Sequence, residues 1–73
     1  MTSDIRYQIS DITRVKISVF DLLGREVTTL VDETKPPGVY HVRFDASGLA
    51  SGVYIYRLTA GSFVATRKMI LSR

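Results

Sequence analysis

A chain of 73 residues is a single domain, and at this size folding removes only about 60% of the surface the unfolded chain exposes, so few residues must make the core. The absence of cysteine excludes a disulfide framework and a thiolate zinc cluster, while 45% hydrophobic against 23% charged residues excludes a disordered chain. The net charge of +3 comes from basic residues scattered from Arg6 to Arg73 with no block of four or more, a weak footprint for nucleic acid.

The opening residues, "MTSDIRYQIS", lack the charged start and apolar centre of a secretory signal, and no apolar run approaches the roughly 18 residues of a membrane span. No membrane insertion is expected, and an export signal, if the protein uses one, would lie upstream in a longer parent chain. A first strand is predicted over 4–10. In "VKISVF", Val15, Ile17 and Val19 alternate with Lys16 and Ser18, which predicts a half-buried strand over 14–20. Beyond the turn signal "DLLG" a third strand is expected over 25–31, and "DETKPPG" reads as the next loop. Tyr40, Val42 and Phe44 alternate with His41 and Arg43 in a fourth strand, 39–45. The turn-rich "DASGLASG" separates it from strands over 53–60 and 63–71, themselves joined by "AGS".

No segment shows three turns of helical spacing. Six or seven short antiparallel strands cannot bury one face as a flat sheet, so the chain is expected to be all-β, an antiparallel β-sandwich of two packed sheets. Asp21-Leu22-Leu23-Gly24 fits a type I turn, with Asp21 capping and Gly24 in the left-handed conformation of a G1 bulge. That geometry does not require two leucines. The expectation is that one of them folds back over the open end of the sandwich, ahead of a role in docking a partner.

The search for catalytic chemistry finds little. His41 is the only histidine and lies mid-strand among outward-facing positions, where a solvated side chain is expected instead of a general base. Asp4, Asp11, Asp21, Glu26, Asp32, Glu33 and Asp45 fall mostly at turns, without calcium-loop spacing. Gly48 and Gly52 in "SGLASG" precede a strand, not a helix, and so read as turn residues instead of a phosphate cradle. The aromatic residues Tyr40, Tyr54 and Tyr56 are expected in the core, since alternation explains their spacing better than a stacking platform for nucleic acid or sugars. Arg67, Lys68 and Arg73 crowd the last strand, where charge on an edge discourages pairing with other chains. No active site, metal site or cofactor is expected, and an enzyme is improbable on this pattern.

The stretches "IRYQIS", "VKISVFDLLGREVTTLVD", "PPGVYHVRFDASGLASGVYIYRLTAG" and "TRKMILSR" together resemble the type A C-terminal sorting domain of type IX secretion cargo, in the family's order and spacing. Pro36, Gly38 and Tyr40 match "PxGxY"; Gly52 and Tyr54 belong to "LxSGVYxYxL"; Lys68 opens the closing "KMIL"; Asp21 and Gly24 anchor "DLLGREV". The resemblance implies an immunoglobulin-like sandwich acting as a non-catalytic tag on an N-terminal cargo in a Gram-negative bacterium. The parent would reach the periplasm by its own signal. The outer-membrane translocon would then recognise the folded tag, and a sortase-like peptidase would remove it as the cargo is attached to the surface or released. One tag serving unrelated cargoes should be read through its exposed features, so the readout is expected in the last strand, with Arg67, Lys68 and Arg73, and in the loops at one end of the sandwich, with strand addition to an exposed edge as a further route.

Two departures stand out. The family's Asn-Pro-Phe-Asn-Pro segment is missing ahead of "MTSDIRY", as in an excised domain with a new start, which leaves open whether the first strand is complete and whether unprotected edges allow self-association. The closing basic residue is Arg73 where the family more often has lysine, which keeps the charge. The same pattern also resembles the immunoglobulin-like domain of flagellar hook-capping proteins, a structural module within an assembly. Ending directly after "KMILSR" favours the sorting reading.

Overall fold

The computed structural model describes residues 2–71 and consists of six strands: β1 (Thr2–Ile9), β2 (Thr13–Phe20), β3 (Glu26–Lys35), β4 (Gly38–Asp45), β5 (Gly52–Ala60) and β6 (Phe63–Leu71). They form two antiparallel sheets, one of two strands in the order β1-β4 and one of four in the order β3-β2-β5-β6. This is the all-β antiparallel sandwich expected from the period-two pattern, of the immunoglobulin-like kind that the resemblance implies.

The pattern also sets which face is buried. Val15, Ile17 and Val19, the inward residues of β2, are fully buried, because β2 is flanked by β3 and β5 and covered by the smaller sheet. Opposite them β1 presents Ile5, Tyr7 and Ile9, all buried. Around these form two clusters: one on Ile5, Tyr7, Ile9, Val15 and Ile17, the other on Val19, Phe44, Ala46, Tyr54 and Leu71. Burial of such side chains contributes on the order of 1.5–3 kcal/mol each. Ser18 is the only buried polar residue among the described ones, and no described buried side-chain polar atom lacks a partner.

One strand boundary differs from expectation by more than two residues. β3 continues to Lys35, through "DETK", which the turn-residue composition assigned to a loop. Its acids are there because β3 is an edge strand facing water: the Arg14 guanidinium donates to the Asp32 carboxylate from Nη2 at 2.7 Å and from Nε at 3.1 Å, and Lys35 pairs with Glu33 at 2.7 Å. Along β3 the pairing with β2 skips a residue twice, passing from Ile17↔Val31 to Ser18↔Thr29 and from Val19↔Thr28 to Phe20↔Glu26. The skipped residues are Leu30 and Val27, and both pack on the second core cluster. The bulges thus re-aim apolar side chains of an edge strand toward the core.

The strand order places the β2–β3 turn, the β4–β5 loop and the start of β1 at one end of the sandwich. The β1–β2 loop, Pro36-Pro37 and the β5–β6 turn lie at the other, along a molecule whose longest dimension is 37 Å.

Candidate functional site

The β2–β3 turn has the geometry its residues dictate. Gly24 donates its N–H to the Asp21 carbonyl at 3.1 Å, the Asp21 N–H reaches the Arg25 carbonyl at 3.0 Å, and Gly24 sits at φ +84°. The Asp21 carboxylate accepts from the N–H groups of Leu23 (2.9 Å) and Arg25 (3.0 Å) and from Arg25 Nε (3.0 Å). The Arg25 backbone N–H, followed by the arginine side chain and the Leu23 N–H, holds that carboxyl below the usual carboxylate range. The two leucines, however, do not cover the core. Leu22 and Leu23 are 68% and 78% exposed, which corrects the expectation that one folds back over the open end. That end is covered instead by Ala46 and Leu49 of the β4–β5 loop and by Leu71.

The motifs around Pro36 and Gly52 turn out to be one device used twice. Tyr40 donates its hydroxyl to the Pro36 carbonyl, and Tyr54 donates to the Ala50 carbonyl at 2.8 Å. In each the acceptor lies four residues upstream, the glycine two residues upstream has φ near +155° (Gly38 +155°, Gly52 +154°), and valine intervenes. This is the tyrosine-corner arrangement of immunoglobulin-like sandwiches. Each corner starts a strand and satisfies a loop carbonyl with the polar tip of an aromatic whose body packs inward. Tyr54 is buried, while Tyr40 and Tyr56 are half-buried; Tyr40 stacks on Tyr7 with ring centroids 5.4 Å apart and carries Lys35 Nζ 5.0 Å above its ring. The signal was present in the sequence as the repeated pattern Gly-Val-Tyr, unrecognised as a repeat.

The motif residues therefore do not converge. Asp21, Gly24, Gly52 and Tyr54 lie at one end; Pro36, Gly38 and Tyr40 lie at the other; Lys68 lies on the flank. β6 is an edge strand whose alternate residues point to opposite faces. Lys68 pairs in register with Ile55 on the outer face of the four-stranded sheet, whereas Arg67 pairs with Tyr56 on the core side. Both are exposed, but they share no common patch. Arg73 lies outside the described residues. On the outer face Lys68 is joined by exposed Val64 and Ile70 and by Arg57, which stands 4.9 Å over the Phe20 ring.

His41 faces Asp4 across β1 and β4 at 3.2 Å in an exposed pair, a surface contact of little energetic weight. No group of three or more His, Asp or Glu able to hold a metal occurs among the described residues.

Fold and surfaces together define a small immunoglobulin-like module held by turn chemistry, with charged side chains on both edge strands of its larger sheet. The model of the secretion system C-terminal sorting domain family matches residues 2–72, and the chain belongs to that family, the sorting domains of type IX secretion. Comparison with curated proteins and with solved structures gave no match. Membership makes the domain a sorting signal that acts with the type IX machinery on a fused N-terminal cargo bound for the cell surface or beyond. Sorting domains of this family are in general non-catalytic.

Proposed function

We propose that the folded domain is a cargo-independent tag read by the outer-membrane translocon of a Gram-negative cell through its last strand, and that a sortase-like peptidase then removes it as the cargo is attached or released. The observation that supports this reading is the position of β6. As the edge of the larger sheet it offers the exposed side chains of Arg67 and Lys68 without any opening of the core. Of the residues shared with the family's motifs, those around Asp21, Pro36 and Gly52 are occupied in building turns, which leaves recognition to exposed side chains such as Lys68. No observation separately favours a flagellar hook-cap module, and the matched family is the sorting one.

Deleting Lys68 to Arg73 from a cargo fusion is expected to leave the cargo in the periplasm. Leu71 is 4% exposed and belongs to the core, so the deletion also weakens folding. The exposed substitution Lys68→Glu separates the two effects. It should reduce surface delivery while the tag stays folded, and unimpaired secretion of both variants would contradict the reading.

A further inference from the structure

The two sheets are unequal, and the mismatch leaves part of the core side of the larger one bare. β6 directs Phe63, Ala65, Arg67, Met69 and Leu71 to the same face as Tyr54, Tyr56, Leu58 and Ala60 of β5, with which it pairs. Leu71 is buried there, yet Phe63 is 59% exposed and Arg67 is exposed too, because the two-stranded sheet stops at β1.

The opening is a groove of about 210 Å³. Its lining has a telling pattern. From β1 come four consecutive residues, Ile5 to Gln8, which marks the exposed backbone edge of a strand; from β5 and β6 come only alternate ones, Tyr56 and Leu58, and Phe63, Ala65 and Arg67, which marks a side-chain face. The β1 edge on this side has no neighbour in the sheet order. Two arginines, Arg6 and Arg67, line the groove, and no acidic residue does.

We propose that this groove receives an extended peptide segment of a partner protein, added as a third strand to the free edge of β1. Backbone hydrogen bonds to β1 would supply its affinity, and the side chains directed onto β5 and β6 its selectivity. Pairing along Ile5 to Gln8 spans about 13 Å, a strand of roughly four or five residues. The chemistry is set by what it must cover: apolar side chains over Phe63, Ala65 and Leu58, and a carboxylate opposite Arg67. That the donor is a component of the secretion machinery rests on the sorting reading; the chemistry of the groove does not.

The test uses the whole chain and a synthetic peptide with valine, glutamate and valine at alternate positions and threonine between them, followed by backbone hydrogen exchange. Saturating peptide is expected to slow exchange of the outward-pointing amides within Ile5–Gln8 at least tenfold. Exchanging the glutamate for lysine should weaken binding at least tenfold, and Arg67→Glu should invert that preference. Phe63→Ser should weaken both peptides. Protection at β3 or β4 in place of β1, or binding indifferent to the charge at position 67, would overturn the proposal. So would a groove already closed by a second copy of the chain or by an upstream segment of its own parent. The readout is independent of secretion, so a peptide that binds while the tag fails to sort would leave the groove in place and remove the sorting reading.

Discussion

Two tyrosine hydroxyls decide how this small chain enters two of its strands. Each closes a loop by hydrogen bonding to a carbonyl four residues back, and each requires a glycine at a φ that other residues adopt only with strain. Tyr54→Phe is expected to lower stability by about 0.5–1.5 kcal/mol, the net worth of one hydrogen bond. Gly52→Ala should lower it by about 1–3 kcal/mol through backbone strain alone, since an added Cβ meets nothing within 4 Å. Chemical denaturation measures both, and a neutral Gly52→Ala would show that the positive φ is not required.

Acid sensitivity belongs to the same scale. Asp21, Asp32 and Asp45 are held below the usual carboxylate range, chiefly by hydrogen bonds from the Arg25 backbone, the Arg14 side chain and the Ser47 backbone respectively. A carboxyl whose pKa is lower folded than unfolded adds stability above its unfolded value, about 3.9, and loses it as pH falls through the folded value. Denaturation midpoints should therefore hold steady from neutral pH to about 5 and fall below about 4. Asp21→Ala should flatten part of that fall; an unchanged profile would mean the turn carboxylate carries no linkage.

At the scale of elements, alternation made most of the sandwich readable in advance. It identified six strands, the inward triplet of β2 and the turn at Asp21–Gly24, because each rests on local period or local hydrogen bonding. What escaped notice depends on neighbours. "DETK" looked like loop because acids and lysine are poor strand formers, but on an edge strand they face water and pair with Arg14 and with one another. Likewise nothing local distinguishes a leucine that caps a core from one left in solvent. The exposure of Leu22 and Leu23 depends on the β4–β5 loop having already covered that end. Replacing both with serine is expected to change stability by no more than about 0.5 kcal/mol. A loss several times larger in a denaturant titration would put them back in the core.

Across the whole molecule, the family fingerprint describes how the domain folds more than what it touches. Its residues are spread over both ends of a 37 Å sandwich, where they shape the β2–β3 hairpin and the two tyrosine corners. Adjacent residues on a strand face opposite ways, so Arg67 and Lys68 stand on opposite faces of β6, and a partner that reads both must approach the strand from its open edge. Surface delivery by the intact domain is the central claim. Residues 1–73 fused behind a periplasmic reporter, in a host with a working type IX system, should carry that reporter to the cell surface or medium, and should leave it in the periplasm when the system is disabled. A reporter that remains in the periplasm of the competent host with the domain folded would contradict it.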